Sequence, residues 1–326
     1  MEREEFTLVR DMLRGFATRF RTGSADDIRA QTRADAQRAL DELGLTDLRR
    51  TSAPAATVQE CALLAEEHGR QPLTTSLLGT ALLAPELLRL LENGERPRPV
   101  HGNRPTVALA GDLRFPEPDA AGLVAWDCDG ADTALSVDAE GRVTEHELGS
   151  PAPTADLLRG VRRASADGRP VGRLTPGAHQ SWQAYALVVV ASELVGAASS
   201  FVEQSVDYAR ERHQYAQPIG SYQAVQHLLA DATVLADACT SATRYAAWCL
   251  DNEPPGRALT AARVAKAEVN SSAVEAVYAG MQVFGGIAQT WEHVAHLYLR
   301  RVLVGATLLA TTADLLPALA APEATR

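Results

Sequence analysis

The sequence predicts a mainly α protein in which a small antiparallel β domain separates an N-terminal helical domain from a C-terminal four-helix bundle. Apolar residues recur at spacings of three and four over residues 1–95 and again over 176–326, the period of helices with one buried face. Over 96–175, Pro97, Pro99, Pro105, Pro116 and Pro118 exclude long helices, and short β-type runs between turn residues take over. At 326 residues, the chain is long enough for two or three domains with buried cores.

In the N-terminal domain, Phe6, Val9, Leu13 and Phe16 mark one face of a first helix. Residues 21–27 form a polar loop, and a short helix over 35–43 stops at Gly44. Thr57 and Glu60 form a capping-box pattern at the start of a helix over 57–68, which Gly69 and Pro72 end. Residues 77–91 make the most apolar helix of this half. In the middle domain, strands are expected at 106–109, 123–126, 133–137 and 142–147, with Asp- and Gly-containing turns between them. Asp127, Asp129 and Asp132 lack the closing glutamate of a calcium loop and read as solvated turn acids. The bundle follows, with helices at 181–212, 221–251, 261–284 and 291–319. Gly196 gives a neighbour close approach in the first, and Gly285 with Gly286 ends the third.

The balance of 31 basic against 41 acidic residues gives a net charge of −10, which offers no cationic footprint for nucleic acid or an anionic membrane. Cys61, Cys128, Cys239 and Cys249 form no CxxC pair, and buried free thiols in a reducing cytoplasm are expected. The acidic start MEREEF does not suit a signal peptide, and the apolar run 302–313 falls short of the roughly 20 residues a membrane span needs. His293 and His296 share a helix face without a carboxylate partner, so no metal site is expected.

Two stretches stand out: ARERHQYAQPIGSYQAVQHLLAD, residues 209–231, and MQVFGGIAQTWEHVAHLYLRR, residues 281–301. Each sets a polar, glycine-punctuated turn beside a long helix and can offer backbone N–H groups with arginine or glutamine side chains to an anion. Together they resemble the C-terminal helical domain of the acyl-CoA dehydrogenase family of flavoproteins, whose order of helices, sheet and bundle the chain follows over most of its length. The resemblance implies FAD as cofactor, an acyl-CoA or acyl-carrier-protein thioester as substrate, and an electron-transfer flavoprotein as electron acceptor. It also implies that the dinucleotide half of FAD lies across a subunit boundary. Arg212 then matches the arginine on the FAD pyrophosphate, and Tyr215 replaces a phenylalanine against the cofactor. Gln223 and Gln282 match glutamines that hydrogen-bond it. In the pair Gly285 and Gly286, the second matches a glycine whose bare backbone admits the adenosine end.

The departures from the family pattern are as informative. The glutamate that acts as base in many members falls here near Leu308 and Leu309, and the alternative position on the first bundle helix falls near Ala186. Glu193, two turns further along that helix, is the candidate replacement base, or else a member of a structural polar network. Neither the tryptophan-hydroxyl run that meets the flavin nor the acidic segment at the thioester occurs in the middle domain. Trp126 sits in VAWDCDG, and Ala288 replaces the third glycine of the usual motif. The pattern is similar to that of the shorter, non-autonomous subunit of heterotetrameric actinobacterial acyl-CoA dehydrogenases. It implies a subunit that completes the FAD site of a homologous partner during α,β-desaturation of an acyl thioester. Two alternatives remain: a self-contained, homo-oligomeric dehydrogenase using Glu193 or another acid, and a redox-silent scaffold on the same fold.

Overall fold

The computed structural model describes residues 3–92, 100–118 and 120–320. The N-terminal region holds α1 (Arg3–Phe20), α2 (Ala30–Asp41), α3 (Val58–Gly69) and α4 (Ala84–Glu92), the last entered through a π-helical turn over Leu78–Leu83. Leu13 and Phe16 are buried as the period predicts, whereas α2 starts several residues before the expected 35. The capping box at α3 forms as read: Thr57 Oγ1 accepts the Glu60 N–H at 3.1 Å, and Glu60 Oε2 accepts the Thr57 N–H at 2.8 Å. Asp251 reaches over from the bundle to accept the next two amides, those of Val58 at 2.9 Å and Gln59 at 3.1 Å. The start of α3 is thereby tied to an element nearly 200 residues away.

The middle region is a six-stranded sheet: β1 (Pro105–Leu109), β2 (Val124–Trp126), β3 (Thr133–Val137), β4 (Arg142–Pro151), β5 (Val161–Ala164) and β6 (Arg169–Arg173). The order is β3-β1-β2-β5-β4-β6, and β3 also pairs with β4, so the first five strands close into a small barrel. The pairing is antiparallel throughout except for β1 with β3, which is parallel and departs from the expected all-antiparallel sheet. β5 and β6 went unforeseen because VRRA and RPVGR bury one valine each and show no alternation to read. The expected domain boundary near residue 95 lies outside the described residues.

The bundle comprises α5 (Pro176–Glu211), α6 (Gln223–Asn252), α7 (Pro255–Phe284), α8 (Ala295–Thr307) and α9 (Thr312–Ala320). Thr175 starts α5 by accepting the Ala178 N–H at 3.2 Å. By length and composition α5 is apolar enough to cross a membrane, but 94% of its most apolar window is buried within the protein. It crosses α3 so closely that a Cβ on Gly196 would collide with the Glu66 carbonyl, and one on Gly69 with that of Glu193. The single last helix expected over 291–319 is broken instead. The helix stops at Thr307, and Leu309 pairs with the sheet domain, its N–H donating to Leu113 O at 2.8 Å and its carbonyl accepting the Phe115 N–H at 3.3 Å. Leu309 takes a left-handed φ of 68° there, a conformation that costs a leucine about 1–2 kcal/mol and is offset by this pairing and by burial. One apolar core runs from Leu13 through Val107 and Trp126 to Trp182 and Leu308, so all three regions share it.

Candidate functional site

Arg212 closes α5 as its C-cap, and its carbonyl accepts the Ile219 N–H at 2.7 Å across a two-strand hairpin, β7 (His213–Gln214) and β8 (Gln217–Pro218). The hairpin turn is made by Tyr215 and Ala216, at φ 52° and 65°, the left-handed geometry of a tight primed turn. Tyr215 at its tip is 92% exposed. Gln223 begins α6 at the same end of the bundle, and Gln282 lies in the last turn of α7. Gly285 terminates α7 at φ 67°, turning the chain into Gly286. Packed rings fix this end: the Tyr208 ring, one turn before Arg212, stacks on Phe284 with centroids 4.5 Å apart, and the His293 ring lies tilted against Phe284 at 4.8 Å. Beneath them Ala209, Leu229 and Val283 form a small apolar cluster.

All six residues singled out by the motifs therefore sit at one end of the bundle, and each is exposed except the half-buried Gly285. Among the described residues, the Arg212 guanidinium and the Gln223 and Gln282 carboxamides have no hydrogen-bond or ion-pair partner. A Cβ on Gly285 or Gly286 would meet nothing within 4 Å. Free donors, a permanent planar cation and open space over a glycine turn make a set that fits the pyrophosphate and adenosine of a dinucleotide.

Glu193 is elsewhere, sealed inside the molecule where α5 crosses α3. Its Oε1 lies 2.8 Å from His68 Nδ1 and 3.7 Å from Arg301 Nη1, while Oε2 pairs with Arg159. Arg159 continues to Asp127 at 2.7 Å, and Arg301 to Asp156 at 3.3 Å. His68 Nε2 meets the Thr75 hydroxyl at 3.0 Å. Burial alone would raise the Glu193 pKa, but Arg159 and Arg301, helped by the His68 hydrogen bond, hold the carboxyl well below the usual range. Burial, with the same two arginines, pushes His68 down against the pull of Glu193, so the neutral ring donates from Nδ1 and accepts at Nε2. A carboxylate so stabilised has little proton affinity and no access to a substrate. The geometry suits Glu193 to an anchor and argues against the base role the sequence left open for it.

Asp127 corrects another expectation. It is fully buried rather than solvated, holding Arg159 on one side and the Gly79 N–H at 2.7 Å on the other. Asp129 pairs with Arg33 at 2.9 Å, and Asp132 accepts the Asn103 and Arg104 amides at 2.8 and 3.0 Å. The partners His68, Asp156, Arg159 and Arg301 escaped sequence reading; for Arg301, the apolar run that follows it was the available signal. Among the described residues no group of three His, Cys, Asp or Glu side chains is arranged for a metal ion, and all four cysteines are buried and free.

The positions matching the family's two bases are apolar and closed: Ala186, Leu308 and Leu309 are all buried. Behind Leu308 and Leu309, Lys266 of α7 is wholly buried and caps the end of α8, its Nζ 2.9 Å from Gly305 O and 3.5 Å from Ala310 O, with Asn270 Oδ1 as third acceptor. Burial lowers its pKa to about 7, while three acceptor oxygens and the helix terminus favour the ammonium form.

Comparison with known proteins bears on the family and the fold. The family model described as acyl-CoA dehydrogenase, C-terminal domain, matches residues 185–310. Acyl-CoA dehydrogenase IpdE2 of Mycobacterium tuberculosis is 37% identical over 139 residues, covering 40% of this chain and 39% of that protein's own length. Its namesake in Mycolicibacterium smegmatis is 31% identical over 260 residues, covering 77% of this chain and 74% of the relative. The crystal structure of the ChsE4-ChsE5 complex from Mycobacterium tuberculosis superposes with a TM-score of 0.76 at 18% identity, covering 98% of this chain and 97% of that one, a likeness of fold. On the extent of the second of these alignments, the chain belongs to the acyl-CoA dehydrogenase family.

Proposed function

We propose that the chain is a non-autonomous subunit of a heteromeric acyl-CoA dehydrogenase, completing the FAD site of a homologous partner chain that desaturates an acyl thioester at its α,β bond. The observation that carries this reading is a contrast within one bundle. At its exposed end, Arg212, Gln223 and Gln282 hold unsatisfied donors beside an open glycine turn, whereas the place of the family's base is filled by Leu308 and by Leu309, whose backbone pairs with the sheet domain. Bound FAD would accept the hydride that leaves the substrate's β-carbon. The chain's own residues bind and orient: Arg212 meets pyrophosphate with a fixed fork, the two carboxamides donate along the dinucleotide, and Gly285 and Gly286 keep side chains out of its way.

A solved structure of the same fold contains two differently named chains, which supports pairing with a homologue. The substrate carrier is then CoA or an acyl-carrier protein, the electrons pass to an electron-transfer flavoprotein, and four free buried thiols favour the cytoplasm. The test is expression of the chain alone and together with a homologous subunit that carries a glutamate at the position of Leu309. The reading expects no acyl-CoA oxidation and no stoichiometric flavin absorption from the chain alone, and both from the pair. A chain that oxidises acyl-CoA by itself supports the self-contained enzyme instead. A pair without flavin leaves the scaffold.

A further inference from the structure

Trp291 belongs to the second motif, two residues after the 3-10 segment Gly285–Gln289. It is 47% exposed and nonetheless fixed: its indole N–H donates to Asp26 Oδ1 at 2.9 Å, and the His296 ring lies against one of its faces, centroids 5.2 Å apart and planes 15° from parallel. His296 Nε2 is in turn 3.1 Å from the Trp291 carbonyl oxygen, which holds the lower ring in register. The result is an indole with one face covered and one side accessible, already immobilised before anything binds. The chain path puts this ring near the cofactor-facing end. Gly285–Gln289 is a single 3-10 segment leading from α7 towards Trp291, and His293, two residues on, packs against Phe284, the residue before Gly285.

We propose that Trp291 is a stacking platform for the purine ring of the dinucleotide whose pyrophosphate Arg212 holds. The proposal rests on the reading of the bundle end as half of a dinucleotide site, and it adds a residue that recognises the base. Any planar base presents a π-face to such a platform without needing hydrogen-bond readout, and truncating a stacking side chain lowers affinity by about 5- to 150-fold. The adenine lies at the end of FAD remote from the flavin ring, so Trp291 works as a binding residue and takes no part in proton or hydride movement.

The experiment measures FAD dissociation from the assembled flavoprotein in three variants, Trp291→Ala, Trp291→Phe and Arg212→Ala. Expected is a loss of about tenfold or more in FAD affinity for Trp291→Ala, with most of it restored by Trp291→Phe, since a phenyl ring still stacks although it cannot reach Asp26 by hydrogen bond. In the full chain carrying Trp248→Phe, which leaves Trp291 as the exposed indole, ADP should quench tryptophan fluorescence saturably while inorganic pyrophosphate should not. If Trp291→Ala leaves FAD affinity unchanged while Arg212→Ala lowers it, stacking is wrong and the site reading stands. Equal losses in the Ala and Phe variants assign Trp291 a structural tie to Asp26 and overturn the proposal. If neither Trp291→Ala nor Arg212→Ala matters, the site reading fails and the stacking role with it.

Discussion

Glu193 and Lys266 are both enclosed by protein, and both have a folded pKa below the unfolded one, so each makes stability rise with pH, in two different pH windows. Glu193 has a folded pKa held below its ordinary 4.5, so the unfolded chain binds more protons as pH falls. Its contribution is complete above about pH 4.5 and is lost as acidity increases below that point. Glu193→Gln, which leaves Arg159 and Arg301 undercompensated in a dry site, should cost about 3–5 kcal/mol in urea unfolding at neutral pH, and should flatten the acid limb of the stability profile. Lys266 has a folded pKa lowered to about 7, below its unfolded 10.5, so the unfolded chain again holds the extra proton between those values and stability rises with pH. The slope is at most about 1.4 kcal/mol per pH unit; Lys266→Met should abolish it, and a variant that keeps the slope would assign it to another group. At this scale the placement of Arg212 and the glycine pair at helix ends was legible because they stand in short local motifs. The Glu193 cluster was not, because His68, Arg159 and Arg301 are brought together from distant segments and no local period marks them.

Among the elements, α3 shows how local and distant signals combine. Thr57 and Glu60 announced its start, while Asp251, expected only as the last residue of the bundle helix 221–251, caps it from α6. Asp251→Ala should remove the acceptor for two helix N-terminal amides, cost about 0.5–2 kcal/mol, and speed hydrogen exchange at Val58 and Gln59. Unchanged exchange at both would mean that the capping box suffices alone. The α8–α9 break was illegible for a different reason. Residues 302–313 have the apolar continuity of a helix, and only the free backbone edge at Leu113 and Phe115 diverts them. Tertiary pairing overrode local propensity there, as it did for the parallel β1–β3 pair.

For the whole molecule, helices, small sheet and bundle were readable from periodicity and proline placement, whereas the sharing of one core by all three was not. The outward end of α5, α6 and α7 lies apart from that core and carries Arg212, Gln223 and Gln282 exposed. The central claim is that this end grips the dinucleotide of a cofactor whose flavin ring sits on another chain. The most direct measurement is FAD affinity of the co-purified assembly with and without Arg212→Ala. Loss of one charge-assisted hydrogen bond predicts weakening by about 1.5–3 kcal/mol, or roughly 10- to 150-fold, with the subunits still associated. Wild-type affinity in the variant would contradict it.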